Sequence, residues 1–136
     1  MKKPKILLVD DSLEWLKFHL QAFSQLFQDD SFEISTAMSA REGFNKAVSV
    51  ENSFDLIITD LEMEDVFGDV YAGEWLLSNL ISKKTLSARY LIISGSYNIS
   101  DIANKFNVNF IPKNALINNP LLLKYAVEEE LKTFKD

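Results

Sequence analysis

The sequence predicts an α/β domain, a doubly wound parallel sheet with helices on both faces, and three observations carry that prediction. Short apolar runs alternate five times with helical patterns, the arrangement that βα units impose. The central run, Phe54-Asp-Leu-Ile-Ile-Thr-Asp60, has almost no polar alternation, as a strand covered on both sides requires. Finally, the first, third, fourth and fifth runs end in polar side chains, namely Asp10 with Asp11, Asp60, Ser94 and Lys113. In a parallel sheet these all fall at the carboxyl edge, where ligands of open α/β sheets bind.

The first run, Ile6 to Val9, stops at Asp10-Asp11-Ser12, and a helix begins. Its apolar residues Leu13, Leu16, Leu20, Phe23 and Phe27 recur at steps of three and four, with Glu14, Lys17, Gln21, Gln25 and Gln28 opposite them. Trp15, Phe18 and Ala22 widen that stripe. Phe32 to Thr36 predicts the second strand. Ser39 with Glu42 forms a capping box for a helix running to about Val50. The central run supplies the third strand, followed by a polar loop from Leu61 to Ala72 and a helix around Glu74 to Lys83. Tyr90 to Ile93 is the fourth strand, ending in Ser94-Gly95. A short helix over Asn98 to Asn107 follows, with Ser100 as cap and Asp101 in its first turn. Val108 to Ile111 is the fifth strand. Asn119-Pro120 opens a last helix to about Phe134, in which Glu128 and Lys132 are spaced for an i,i+4 pair.

With 136 residues, 47% of them hydrophobic and 25% charged, the chain suits one globular domain with a substantial core. A net charge of -6 argues against sequence-independent binding of nucleic acid or anionic membrane, since Lys2, Lys3 and Lys5 make only a small basic start. There is no cysteine, hence no disulfide framework and no thiolate metal site, which fits a cytoplasmic protein. The apolar run after the first lysines lasts four residues, too short for a signal peptide, and no stretch has the length of a membrane span.

Three carboxylates gathered at one sheet edge repel each other and call for a cation among them. Oxygen ligands without His or Cys select a hard ion such as Mg²⁺, which shares its shell with water and phosphate. Asp10 and Asp11 both approach such an ion only where strand gives way to loop, and Asp10, Asp11 or Ser12 can alternatively cap the first helix. Lys113 adds a fixed positive charge and Ser94 a hydroxyl donor. Together they suit a phosphoryl group in flight, with an Asp60 oxygen as the in-line nucleophile. His19, the only histidine, is expected within the first helix and away from this edge.

Val9-Asp10-Asp11, Asp60-Leu61-Glu62-Met63, Ser94-Gly95 and Lys113 stand in an order and spacing that resembles the receiver domain of two-component response regulators, over essentially the whole chain. The resemblance implies a single receiver domain over residues 1–136 without an output domain, and the flavodoxin-like strand order 2-1-3-4-5. It implies that Asp60 accepts a phosphoryl group from a sensor histidine kinase or phosphotransfer protein. It further implies Mg²⁺ held by Asp10, Asp11, Asp60 and the backbone carbonyl of Glu62, with Lys113 on the phosphoryl group. Ser94 and Phe110 would be the switch pair, remodelling a face that a downstream protein reads. The implied product is a signalling state of a cytoplasmic monomer or phosphorylation-dependent dimer, so the chain is not expected to be a metabolic enzyme.

The sequence also departs from the pattern. Glu64 replaces the proline usual after Met63, Asn114 replaces the proline usual after the lysine, and Phe110 lacks the commoner tyrosine hydroxyl. If Gly73 matches the family's loop glycine, the loop before the third helix is about five residues longer than usual and brings Glu64, Asp65 and Asp69 close to the site. These departures motivate one rival, a phosphorylation-independent pseudo-receiver acting as an interaction module. A Mg²⁺-dependent phosphohydrolase is a weaker rival, because Glu62 is an imperfect substitute for the acid/base aspartate expected two residues after the nucleophile.

Overall fold

The computed structural model describes residues 3–49, 51, 53–65, 67–83 and 86–132. Five strands form one parallel sheet: β1 (Lys5–Val9), β2 (Glu33–Ala37), β3 (Leu56–Thr59), β4 (Arg89–Ser94) and β5 (Asn109–Pro112). Their order is β2-β1-β3-β4-β5, as expected. Among the described residues six helices connect and follow them: α1 (Leu13–Leu26), α2 (Ala40–Val48), α3 (Ala72–Ile81), α4 (Ile99–Phe106), α5 (Lys113–Asn118) and α6 (Leu121–Glu130).

Side chains of a strand alternate between the two faces, and both faces of this sheet are apolar. On one face Ile6, Leu8, Ile58, Leu91, Ile93 and Ile111 pack with Leu16 and Phe23 of α1, Leu116 of α5, and Leu123 and Val127 of α6. On the other, Leu7, Val9 and Ile57 meet Ala40 and Ala47 of α2 and Leu76 and Leu80 of α3. Ile92 packs there with Leu77 of α3 and with Ile102 and Ala103 of α4. Each such Leu or Ile contributes about 1.5–3 kcal/mol by leaving water, so the central strands are fixed far more firmly than the loops above them.

Several local expectations change. The Ser39 side chain accepts the Glu42 N–H at 3.0 Å, but the Glu42 carboxylate reaches one residue beyond the cap and takes the N–H of Met38 at 2.8 Å. Ser100 lies inside α4, whose N-cap is Asn98, while Asp101 does sit in the first turn. Asn119 closes α5, and Pro120 is the N-cap of α6 rather than its first residue. The six-residue α5 was not expected, because only Leu116 in it is buried and one turn and a half shows no periodicity. Lys132 pairs with Glu129 at 3.1 Å rather than with Glu128. The expected helix ends at Val50 and Phe134, and Lys2, lie outside the described residues. No helix among the described residues is long and apolar enough to cross a membrane.

Candidate functional site

The sheet ladder carries both aspartates one residue past their strands. The Asp10 N–H donates to the Ala37 carbonyl at 3.0 Å, and the Asp60 N–H to that of Val9 at 2.9 Å. Both carboxylates therefore leave rigid backbone at the carboxyl edge, and both are buried, at 2% and 6% exposure. Asp10 Oδ1 accepts the Ser12 N–H at 2.9 Å, closing a tight turn, and Ser12 Oγ accepts the Trp15 N–H at 3.2 Å as the cap of α1. Ser12 thus takes the capping role, which leaves Asp10 and Asp11 for the edge. Asp60 Oδ1 accepts the N–H of Leu61 at 2.7 Å.

Lys113 starts α5 directly after Pro112 and reaches back over the edge. Its Nζ lies 2.9 Å from Asp10 Oδ2 and 3.0 Å from Asp60 Oδ2, and 4.8 Å from the centre of the Trp15 ring. The cation that three carboxylates demand is supplied in part by this ammonium, held between two anions and an aromatic face. Burial raises the Asp10 pKa above the ordinary aspartate value, and the Asp60 charge adds to this, while the Ser12 N–H and Lys113 oppose it. Burial works to lower the Lys113 pKa, but Asp60 and Asp10 outweigh it and hold the group above an ordinary lysine.

Asp11 is half-buried, and its Oδ2 accepts the N–H of Glu64 at 2.8 Å. Asp10, Asp11 and Asp60 each bring a carboxylate oxygen within 4.8 Å of the others. That all-oxygen donor set fits a hard divalent cation. Ser94, at the end of β4, is fully buried. Its Oγ lies 2.9 Å from Ser96 Oγ, and Ser96 Oγ donates to Glu62 Oε1 at 3.0 Å. Phe110 in β5 is half-buried in the apolar layer with Ile92, Ile102 and Ala103. The edge therefore unites Asp10, Asp60 and Lys113 by direct contact and Asp11 by proximity, while Ser94 and Glu62 form a separate polar chain beside them.

The loop after β3 differs from expectation. Asp65 is not spent near the carboxylates: its two oxygens accept the N–H groups of Ala40 and Arg41, each at 3.0 Å, capping α2. Phe67 stacks on Trp75 of α3 at 4.0 Å, and the Arg41 guanidinium lies over both rings, 4.7 Å from that of Trp75. The loop is thus held to α2 through Asp65 and to α3 through Phe67, and it meets the edge through the Glu64 N–H.

Three residues matter more than the sequence indicated. Gly73 is not in a loop but in the first turn of α3, and a Cβ there would lie 2.1 Å from the Asp60 carbonyl oxygen and 2.6 Å from Leu61 Cα. Only glycine lets α3 approach the Asp60 backbone, and the Gly73 N–H donates to the Leu61 carbonyl at 2.9 Å. Trp15 reads as one more apolar residue of α1 until the structure sets it against Lys113. His19 is not remote, since it is buried at 3% exposure, packs against Trp15 at 5.7 Å, and feels the charges of Lys113 and Asp60. Burial foremost, with Lys113 assisting and Asp60 opposing, lowers its pKa to about 4, so it is neutral at neutral pH.

No family model matches the sequence, and no curated protein does. Solved structures do match. A CheY-like response regulator receiver domain protein from Methanospirillum hungatei superposes with a TM-score of 0.75 at 21% identity, over 97% of this chain and 96% of the other. A response regulator receiver domain protein from Clostridium thermocellum gives 0.74 at 22% identity, over 97% of each chain. The BeF3-activated DrrB receiver domain gives 0.73 at 17% identity, over 96% of this chain and 99% of that one. The strand order, the TM-scores and the near-complete coverage of both chains agree: this chain has the fold of the response regulator receiver domains.

Proposed function

We propose that the chain is a receiver domain that accepts a phosphoryl group on Asp60 from the phosphohistidine of a sensor histidine kinase or phosphotransfer protein, and signals through protein contacts. The observation that carries this reading is Lys113 Nζ held at 2.9 and 3.0 Å between Asp10 and Asp60, with an Asp11 oxygen within 4.8 Å of both carboxylates. In the reaction a carboxylate oxygen of Asp60 attacks phosphorus, the bond from phosphorus to the donor nitrogen breaks, and the histidine leaves with the electron pair. Lys113 already sits on the nucleophile and stabilises the equatorial oxygens as their charge develops. Ladder hydrogen bonds fix Asp60 against the sheet, so the nucleophile needs little reorganisation. Mg²⁺, held by Asp10, Asp11, Asp60 and the Glu62 carbonyl, would offset the charge that the carboxylates and the phosphoryl group bring together.

Ser94, at the end of the neighbouring strand, is the hydroxyl that answers the new phosphoryl oxygens, and Phe110 follows it through packing. The product is a signal state of a cytoplasmic receiver, monomeric or dimerising on phosphorylation, read by a downstream protein, rather than the product of a metabolic enzyme. Phosphohydrolase chemistry is disfavoured further by Glu62, whose Oε1 is engaged by Ser96 Oγ instead of standing ready as an acid/base. Incubation with a small-molecule phosphodonor and Mg²⁺ tests the proposal. The wild type gains the mass of one phosphoryl group, and Asp60→Asn gains none. Equal labelling of both proteins, or none of the wild type, rejects it.

A further inference from the structure

The polar chain beside the carboxylates has a direction, and that direction bears on Ser94. Ser94 Oγ and Ser96 Oγ are 2.9 Å apart, both residues are buried, and in that pair alone either oxygen qualifies as donor. The next link removes the freedom. Ser96 Oγ stands 3.0 Å from Glu62 Oε1, and an ionised carboxylate only accepts. A serine hydroxyl has one proton, so Ser96 gives its proton to Glu62. Were it to donate to Ser94 instead, its lone pairs would face the carboxylate oxygen at that distance. Ser94 must therefore donate to Ser96 Oγ, while Ser94 Oγ accepts the Ser96 N–H at 3.2 Å.

We infer that Glu62 and Ser96 are positioning residues that latch Ser94 in the resting state, by committing its only proton along the relay Ser94 to Ser96 to Glu62. The inference rests on the phosphoacceptor reading above and adds a property particular to this chain. Glu62 lies two residues after Asp60 and Ser96 two residues after Ser94, so the latch joins the loop of the phosphoacceptor to the loop of the hydroxyl that must respond to it. Before Ser94 can donate to a phosphoryl oxygen, its bond to Ser96 Oγ must break. Part of the interaction energy of the new contact is used in that exchange, and the resting state gains by the same amount.

The test uses beryllofluoride with Mg²⁺ as the phosphoryl mimic and measures its affinity through the fluorescence of Trp15, which adjoins Lys113. Ser96→Ala removes the acceptor of the Ser94 proton without changing charge, and is expected to bind the mimic about five- to tenfold tighter than wild type, the worth of one hydrogen bond. Ser96→Thr keeps the hydroxyl and is expected to stay within about twofold of wild type. Glu62→Gln tightens binding as well, partly by removing a negative charge. A Ser94→Ala background separates the two contributions: the charge effect persists there, while the gain from Ser96→Ala disappears. If wild type binds the mimic and Ser96→Ala matches it, or gains equally without Ser94, the latch is wrong and the phosphoacceptor reading stands. If wild type binds no mimic, that reading fails and the latch falls with it.

Discussion

Replacing Asp10 by Asn tests whether the site is held at the expense of stability. Asn keeps the shape and the Oδ1 that accepts the Ser12 N–H, but in place of Oδ2 it sets an NH2 that cannot accept from Lys113, so the charge and that one contact are lost together while Asp60 still holds the ammonium. With an effective dielectric constant of about 20, two unit charges 4.8 Å apart, the outer limit for this cluster, repel by about 3.5 kcal/mol. The attraction of Lys113 at 2.9 Å returns about 6 kcal/mol on the same basis, and Asp60 draws on the same ammonium. Coulomb terms therefore leave a small surplus at most, against several kcal/mol for desolvating a carboxylate that is 2% exposed. Desolvation wins, in accord with the raised pKa of Asp10. Without divalent cation, Asp10→Asn is expected to gain about 1–2 kcal/mol in urea denaturation followed by circular dichroism. Mg²⁺ at about ten times its dissociation constant should stabilise wild type by about 1.4 kcal/mol and the variant much less. A variant less stable than wild type in chelator, or stabilised equally by Mg²⁺, would refute this description of the carboxylate cluster.

Further predictions concern the supports of the site. Gly73→Ala sets a methyl 2.1 Å from the Asp60 carbonyl and is expected to cost about 2 kcal/mol or more while weakening Mg²⁺ binding; unchanged stability and metal affinity would deny the close approach. Asp65→Ala removes two backbone hydrogen bonds from the start of α2 and should cost about 1–2 kcal/mol, seen as a lower melting temperature. His19 is neutral in the folded protein down to about pH 4, whereas an unfolded histidine protonates near 6.5. Between those values the unfolded chain binds the extra proton, so stability contributed by neutral His19 is present above 6.5 and lost as pH falls toward 4, by about 3 kcal/mol in full. Asp10, with its raised pKa, acts in the opposite sense, so the readout is the difference between wild type and His19→Leu across this window, which a solvent-accessible histidine would leave flat.

Fold class and the residues of the edge were legible because each has a period or a position, whereas the strand order was available only through the family resemblance. Continuous apolar runs such as Leu56 to Ile58 give buried parallel strands, and a polar residue ending each run falls at one edge by topology alone. What stayed hidden depends on contacts between residues distant in sequence. Asp65 looks like part of an acidic patch near the site until the N–H groups of Ala40 and Arg41, some 25 residues earlier, claim it. Trp15 and His19 fit an ordinary apolar stripe, since nothing local announces that α5 will bring Lys113 above them. The need for glycine at position 73 stays hidden because the backbone that leaves no room for a Cβ there, that of Asp60 and Leu61, lies more than ten residues earlier. Serine at positions 94 and 96 has no helical or strand signature, so the relay to Glu62 emerges only in three dimensions.

If Asp60 is the phosphoacceptor it alone carries the phosphoryl group, and the position of that group in the chain can be read chemically. After incubation with a phosphodonor and Mg²⁺, borohydride reduction converts an aspartyl phosphate to homoserine, which peptide mass spectrometry reads by position. Homoserine is expected at position 60, with intact aspartate at 10 and 11. Homoserine at position 10 or 11, or a stable phosphate on Ser94 or Ser96 with Asp60 unmodified, would contradict that assignment.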